Sequence, residues 1–374
     1  TPALESIYNA KIKKYRHITL SKRAGAAAAP QVSLIDLRNK KIKAGLSTEL
    51  IEKIKVHLQA DNQVLLFLNR RGYASVLMCH QCGWMAKCRH CDARMTLHLY
   101  TERLHCHHCG ASQRPVDTCQ QCKTPDIITV GQGTERIEQI ITEYFPEQTI
   151  IRIDRDSTKS RGRMQELLAA AHGDAKILIG TQMLAKGHHF PNLTLVAILD
   201  GDNGLFSIDF RGVERMGQLL VQVGGRAGRA DRVGEVIIQT HHPDHFHLQL
   251  LLQQGYHRFA KELLVERQEA EMPPFTYLAL LRSEAKHRET TQQFLIEAKN
   301  VLQQIVTKDQ ITILGPIPAP MERLGGRYRG HLLLQAAKRS DLQSILRNWV
   351  PLLNHAKIAK KVRWSLDVDP QELT

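Results

Sequence analysis

Eight cysteines fall between Cys79 and Cys122, with none elsewhere in the 374-residue chain. They form four C-x-x-C pairs: Cys79/Cys82, Cys88/Cys91, Cys106/Cys109 and Cys119/Cys122. Two thiolates at this spacing converge on one tetrahedral ion about 2.3 Å away, and two pairs complete a four-sulfur site. Four pairs therefore predict two zinc ions. The competing use, a disulfide framework, belongs to short secreted chains in an oxidising compartment. The gaps suggest which pairs share an ion. Five residues separate Cys82 from Cys88, short for a ribbon hairpin, whereas fourteen separate Cys91 from Cys106. A nested scheme fits best, with Cys88, Cys91, Cys106 and Cys109 around one ion and Cys79, Cys82, Cys119 and Cys122 closing outside it. The intervening histidines (His80, His90, His98, His105, His107, His108) are substitute ligands in principle, and are read as surface or supporting groups because eight thiolates suffice. With every position filled by sulfur, such zinc organises structure and leaves no place for a catalytic water. Trp84 is expected to pack this small module rather than stack on a base.

Three loops carry a different chemistry, suited to phosphate. Gly131-Gln132-Gly133-Thr134-Glu135 opens a helix, where free backbone N–H groups suit an anion; a glycine turn that merely caps a helix reads the same way. Gly180-Thr181-Gln182-Met183-Leu184-Ala185-Lys186-Gly187 follows a strong strand and offers hydroxyl, amide and cation. Gln222-Val223-Gly224-Gly225-Arg226-Ala227-Gly228-Arg229 ends a helix with two arginines three residues apart. Two guanidinium groups on one face can grip a triphosphate across a cleft, although each alone reads as a solvated charge.

These loops need a scaffold, and the apolar pattern supplies one. Ser47 or Thr48 caps a helix with apolar positions at Leu50, Ile51, Ile54 and Leu58. Val64 to Leu68 is the continuous apolar run of a buried parallel strand. Beyond the cysteines, Ile137, Ile140, Ile141 and Tyr144 have helical spacing. Strands are expected at Thr149 to Ile153, Lys176 to Gly180, Thr194 to Leu199 and Glu235 to Thr240, with helices near Thr158 to His172 and Gly212 to Val223. Alternating strands and helices predict an α/β domain with a parallel sheet. Ligands sit at the carboxyl ends of such strands, where the three loops lie. The cysteines interrupt this domain between its first strand and first helix.

The expected division is 1–46 as a strand-bearing remnant and linker, 47–78 with 123–240 as the α/β domain, 79–122 as the zinc insertion, 241–271 as a helical connector and 272–374 as a small α+β domain. In the last, a helix is expected near Thr290 to Val306, a Gly/Pro loop at Leu314 to Pro320, and strands at Leu332 to Gln335 and Val362 to Val368. Lys plus Arg number 51 against 37 Asp plus Glu, a net charge of +14 that favours polyanionic partners, nucleic acid first. No apolar run is long enough for a membrane span. The first residues, Thr1-Pro2-Ala3, have neither the basic start nor the apolar stretch of a signal peptide, and they lack an initiator Met, as expected of a processed or excised piece.

Gln222 to Arg229 resembles helicase motif VI, and Gly180 to Gly187 resembles motif V of superfamily 2 motors. With four C-x-x-C pairs inserted, the chain resembles the PriA family of replication-restart (primosomal) DNA helicases over its C-terminal half. Leu68-Asn69-Arg70-Arg71-Gly72-Tyr73, Gly187-His188-His189-Phe190-Pro191, Leu205-Phe206-Ser207 and Leu366-Asp367-Val368-Asp369-Pro370 match as well, and Thr1-Pro2-Ala3 resembles the end of motif III. Gly224 stands where the family commonly has Ala, and His189 where Asp is frequent. The resemblance implies a RecA-like second helicase lobe with an inserted two-zinc Cys-rich module, preceded by the end of the first lobe in 1–46 and followed by a C-terminal DNA-binding domain in 272–374.

By the same resemblance, Gln222, Arg226 and Arg229 reach the ATP γ-phosphate, while Thr181, Gln182, Gly133 and Thr134 hold a DNA strand by its phosphates. Arg323, Arg327, Tyr328 and Arg329 around Gly325-Gly326 form a basic-aromatic cluster, either a DNA contact or a solvated turn. The implied whole is a 3′-to-5′ DNA helicase using ATP and Mg2+. It recognises stalled or repaired forks and starts primosome assembly, with forked and single-stranded DNA, single-strand DNA-binding protein and primosome proteins as partners. A monomer in the bacterial cytoplasm, at the nucleoid, is expected. No G-x-x-x-x-G-K-[ST] occurs in these 374 residues, so the chain alone is expected to be inactive as an ATPase. A zinc-ribbon adaptor with no motor role is the alternative. It explains the cysteines and the charge but not the order of the loops.

Overall fold

The computed structural model describes all residues except 19–29, 69–74, 90–94, 99–102, 106–110, 131–133, 155–156, 159, 161, 186–189, 203, 208, 229–232, 307–310, 325 and 374. The chain opens with helix α1 (Leu4–Lys11), strand β1 (Gln31–Asp36) and a small hairpin of β2 (Ile42–Lys43) and β3 (Leu46–Ser47). Helix α2 (Thr48–Gln59) follows, capped as its sequence suggests: the Ser47 Oγ accepts from the Leu50 N–H at 3.2 Å. Strand β4 (Gln63–Phe67) then leads into the cysteine-rich module of β5 (Ser75–Cys79), β6 (Thr96–His98), β7 (Arg103–His105), β8 (Ser112–Gln113) and β9 (Ile127–Val130). The α/β alternation resumes with α3 (Thr134–Tyr144), β10 (Ile150–Ile153), α4 (Arg163–His172), β11 (Ile177–Gly180), α5 (Gln182–Ala185), β12 (Leu193–Ile198), α6 (Gly212–Gly224), β13 (Glu235–Thr240) and α7 (Phe246–Glu269).

Six strands form one parallel sheet in the order β1-β13-β12-β4-β11-β10. Successive side chains alternate faces, and this period sorts each strand's residues into two cores. Leu65, Phe67, Leu178, Val196, Ile198, Val236 and Ile238 face α4, α6 and α7. Val64, Leu66, Ile177, Ile179, Leu195, Ala197 and Ile237 face α2 and α3. Helices on both sides explain why β4, β11 and β12 are buried at every position and read as unbroken apolar runs.

Three boundaries differ from the sequence reading. The segment 1–46 is not only a remnant and linker: β1 pairs in register with β13 from Gln31↔Glu235 to Asp36↔Thr240, and Leu4 is fully buried in the lobe core. The cysteine-rich insertion is wider than 79–122, because β5 and β9 pair through Val76↔Val130 and Cys79↔Ile127. It also interrupts the sheet after β4, the second of its strands in chain order. The helix in 241–271 is more than a connector. Leu248, Leu251, Phe259, Ala260, Leu263 and Leu264 of α7 are buried in the same core as the sheet.

The last domain is an antiparallel sheet, in the order β15-β16-β14-β17, of β14 (Tyr277–Ala285), β15 (Thr312–Leu324), β16 (Arg327–Ala336) and β17 (Arg363–Val368). Helices α8 (Arg288–Ile305) and α9 (Arg339–His355) cover one face. Ala279, Leu281, Leu332 and Leu334 pack there against Phe294, Leu295 and Trp349, and the Trp349 indole N–H donates to the Ala298 carbonyl at 3.0 Å. The expected Gly/Pro loop is strand β15. Pro316, Pro318 and Pro320 cannot donate to a ladder, so they fit only an edge strand, and β15 is one, with two shifts of register against β16. Among the described residues, no helix is long and apolar enough to cross a membrane.

A buried ion cluster ties α1, α6 and α7 together. Arg267 of α7, 6% exposed, contacts Glu214 of α6 at 2.5 Å and Glu5 of α1 at 3.4 Å. Arg211 also pairs with Glu5, and both guanidiniums lie over the Phe210 ring, at 4.7 and 4.8 Å. The other Glu214 oxygen accepts from the Leu4 N–H at 3.0 Å. Removing one partner of such a pair strands a buried charge, at a cost of about 3–5 kcal/mol. Glu214→Ala should therefore lower the unfolding free energy measured by urea titration by that order. A shift below about 1 kcal/mol would show that the cluster contributes little.

Candidate functional site

Four thiols converge where the chain enters and leaves the cysteine-rich module. The sulfur atoms of Cys79, Cys82, Cys119 and Cys122 all lie within 4.8 Å of one another. Cys79 to Cys122 is 3.5 Å and Cys82 to Cys119 is 3.6 Å. Bonds of about 2.3 Å to a tetrahedral ion place sulfur atoms about 3.8 Å apart, so the spacing fits zinc. Two turns shape the pairs. Gly83, at φ +75°, lets its N–H reach back to the Cys79 carbonyl at 2.9 Å. On the other turn, the Gln121 and Cys122 N–H groups donate to the Cys119 sulfur at 3.3 and 3.4 Å.

Without a metal, burial pushes the Cys79 thiol up to about 12. At Cys119 burial also opposes the thiolate, but the backbone donors prevail and hold it at about 7. A bound zinc ion would take all four as thiolates and cross-link β5 to the turn before β9. Of the inner set, Cys88 is buried in the module's small core with Leu77, Ala86, Met95 and Leu104; Cys91, Cys106 and Cys109 lie outside the described residues. Trp84 packs against that core as expected.

His80, between two of these cysteines, docks the module on the lobe. It is 6% exposed, its Nε2 bonds the Lys40 carbonyl in the loop after β1, and its ring meets His241 edge-on at 5.8 Å. His241 in turn donates its backbone N–H to Asp202 at 3.0 Å. Sequence reading treated His80 as a surface or supporting group and passed over Asp202 and His241. Cys-His-x-Cys spacing gives no hint that this imidazole faces the domain from which the module is inserted.

Two of the phosphate-type loops lie at the carboxyl edge of the parallel sheet, whereas the third does not. The Gly228 N–H donates to the Leu193 carbonyl at the start of β12 at 3.0 Å, so α6 runs back along the strands and delivers Gln222 to Gly228 at the amino edge. Thr181 follows β11 and is half-buried; Gln182 begins α5. Gly180 is needed there, since a Cβ would come 2.4 Å from Leu184 and 2.8 Å from the Ile153 carbonyl. Helix α6 delivers Gln222, whose amide donates to the Thr1 hydroxyl at 3.0 Å, and Arg226 lies in the turn just past the helix end. Arg229, Gly133, Lys186 to His189 and Asn69 to Tyr73 lie outside the described residues. Thr134 begins α3 but is 5% exposed, and its hydroxyl donates to Asp154. It therefore orients Asp154, which also holds Arg152 at 2.5 Å, and its hydroxyl is turned to that carboxylate.

The C-terminal cluster divides. Arg327, Tyr328 and Arg329 alternate along β16, so the tyrosine turns toward α8 while the two arginines share the opposite face. Tyr328 carries Arg323 over its ring at 5.4 Å. Arg327 stands 3.9 Å from Glu284, and that carboxylate is also 3.7 Å from Arg363. His331, two residues on from Arg329, is 3% exposed. Burial first, then the charges of Arg282 and Arg329, push its pKa down to about 4.

Family models describe the same three parts. The helicase conserved C-terminal domain matches residues 114–231, the PriA DNA helicase Cys-rich region matches 88–114, and the primosomal protein N C-terminal domain matches 268–371. The replication restart protein PriA of Haemophilus influenzae is 48% identical over 380 residues, covering 100% of this chain and 51% of that protein. The chain belongs to the PriA family. Relatives named replication restart protein PriA in Bacillus subtilis and Rickettsia felis are both 38% identical over 99% of this chain, covering 46% and 57% of their own lengths. The chain thus spans about half the length of the PriA proteins it matches. The fold expected from the resemblance, a helicase lobe with a cysteine-rich insertion and a β-rich end domain, is the one found.

Two outcomes test this arrangement. Metal analysis of the purified chain should give two zinc ions, and Cys119→Ser should release one and leave the other; retention of both, or loss of both, would break the nested scheme. His331 stays neutral in the native state down to about pH 4, whereas an unfolded histidine takes up its proton near pH 6.5. The unfolded chain therefore binds more protons between these values, and stability falls as pH drops from 6.5 to 4, by on the order of 3 kcal/mol. Thermal unfolding should track that loss in the C-terminal domain, and His331→Leu should flatten the slope.

Proposed function

We propose that this chain is the C-terminal portion of an ATP-dependent 3′-to-5′ DNA helicase that recognises stalled or repaired replication forks and initiates primosome assembly. The carrying observation is the likeness to replication restart proteins along the whole chain, at 48% identity to one of them. The geometry agrees. Among the described residues, the Thr181 loop after β11 and the start of α3 at Thr134 lie at the sheet edge from which the cysteine-rich module also leaves.

In this reading Gln222, Arg226 and Arg229 face the γ-phosphate of an ATP held with Mg2+ on another lobe; hydrolysis there supplies the free energy for movement. Gln222 is placed by its bond to Thr1, in the stretch that resembles motif III, so that the nucleotide contacts and the entering chain move together. Thr181, Gln182 and the α3 N-terminus bind the tracking strand by its phosphates. Arg327 and Arg329 extend the phosphate-binding surface onto the sheet of the end domain, and Tyr328 supports it from the helix side. Two zinc ions hold the insertion as a wedge for strand separation. Forked and single-stranded DNA, single-strand DNA-binding protein and other primosome proteins are the partners, and the bacterial cytoplasm, at the nucleoid, is the setting. The protein acts as a monomer.

Charge excess makes the affinity for DNA steeply salt-dependent: each single-strand phosphate neutralised contributes about −0.7 to the slope of log K against log salt. The purified chain should bind single-stranded and forked DNA with a slope of several units, yet show no DNA-stimulated ATP hydrolysis. Hydrolysis above background by these 374 residues would overturn the assignment of the nucleotide site to a lobe beyond them. Salt-insensitive DNA binding would favour an adaptor that does not track the phosphate backbone.

A further inference from the structure

Phe206 is 47% exposed in the loop after β12, at the carboxyl edge of the parallel sheet. Two leucines of the same loop are buried, Leu199 at 8% and Leu205 at 7% exposure. It is also firmly held. The Asp202 carboxylate accepts from the Thr240 hydroxyl and from the His241 backbone N–H and ring. Gly204 adopts φ +101°, and a Cβ there would come 2.9 Å from Met216 and 3.0 Å from the Gly212 carbonyl. A Cβ on Gly212 would meet Ser207 at 2.2 Å. The loop is thus pressed onto the start of α6, and the ring it presents has little freedom left to lose on binding.

Two histidines flank the ring. His242 lies 4.7 Å away at 66° and His245 5.6 Å away at 87°. Both meet it steeply, so neither lies flat over it. His242 also approaches Gly83 of the zinc-binding turn: a Cβ on that glycine would sit 3.7 Å from the imidazole. Phe206 therefore stands where the cysteine-rich module meets the lobe. The Phe206 loop follows β12 and the Thr181 loop follows β11, so both leave the carboxyl edge of the same sheet with β4 between their strands.

We infer that Phe206 is a stacking platform for one base of a single-stranded nucleic acid running along this edge. The inference rests on the DNA-binding reading above and adds a base contact to its phosphate contacts. An aromatic ring raised among imidazoles, beside two leucines that the same loop buries, suits a flat, polar-edged partner. A general apolar contact would favour exposed leucines as well. Stacking is sequence-tolerant because every base has a π face, as a motor that passes over any sequence requires.

Fluorescence anisotropy with oligo-dT, and with an oligonucleotide of the same length carrying abasic sites, separates base from backbone. Phe206→Ala should weaken binding to oligo-dT about ten-fold. It should leave affinity for the abasic strand within about two-fold, with the salt slope unchanged on both. Phe206→Trp should keep the affinity of the unsubstituted chain. No loss on oligo-dT, or an equal loss on both strands, overturns the stacking role while leaving the DNA-binding reading in place. If the unsubstituted chain binds neither strand, that reading falls and the platform with it.

Discussion

Glu214 is the carboxylate on which the arrangement of this lobe turns. It sits in the first turn of α6, 3% exposed, and meets the Leu4 N–H at one oxygen and Arg267 at the other. The helix that begins there ends at Gln222 and Gly224, just before Arg226. A buried charge with two partners on two other helices fixes both the rotation of α6 and the approach of α1 and α7. Close packing continues along the same helix: at Gly217 a Cβ would meet the Phe259 ring at 2.4 Å, so α6 and α7 touch where glycine permits. The direction in which α6 delivers its last turn is therefore set by a charge buried two turns or more upstream.

A second constraint is the parallel sheet itself. All six strands point the same way, so every loop that follows a strand emerges on one edge. The cysteine-rich module grows from that edge after β4, the Thr181 loop follows β11, and the Phe206 loop follows β12. These features are far apart in sequence and adjacent in space for this one reason. The thiol tetrad is placed accordingly, since Cys79 is the last residue of β5 and Cys119 precedes β9, so the outer zinc site closes the module at its root. His80, on the same turn, then fixes that root to the Lys40 loop and to His241.

Much of this was legible in the sequence where the signal is local. The run Glu235–Thr240 was read with the bounds of β13, and the Ser47 cap and the spacing of Ile137, Ile140 and Ile141 identified α2 and α3. Non-local pairings were not legible. Gln31–Asp36 carries no mark that it will lie against a strand some two hundred residues later, so the sequence alone suggests only a strand-bearing remnant and linker there. Strand β15 looks like a loop in the sequence because its prolines exclude a central strand, and nothing local says that an edge is available. For the site, C-x-x-C spacing exposed the cysteines, and small-residue and arginine patterns exposed the loops. Asp202, His241 and Glu214 escaped because a single buried polar residue has no periodicity; its partners come from other elements and are known only once the chain is folded.

Helix α6 is also where the end domain meets the lobe. Arg215, one turn into the helix, reaches the Gln371 carbonyl and lies 3.5 Å from Glu372. Arg282 of β14 donates to the Glu372 carbonyl at 2.7 Å and to Asp367 at 2.8 Å. The last residues of the chain are thus clasped by one arginine from each domain. Arg215 stands one residue after Glu214 and two turns before Gln222, so the same rigid segment carries the C-terminal clasp, the buried anchor and the approach to Arg226. A helix this short and this well packed does not bend to accommodate one end alone. Contacts made by the end domain and contacts made at the arginine loop are consequently made to a single body.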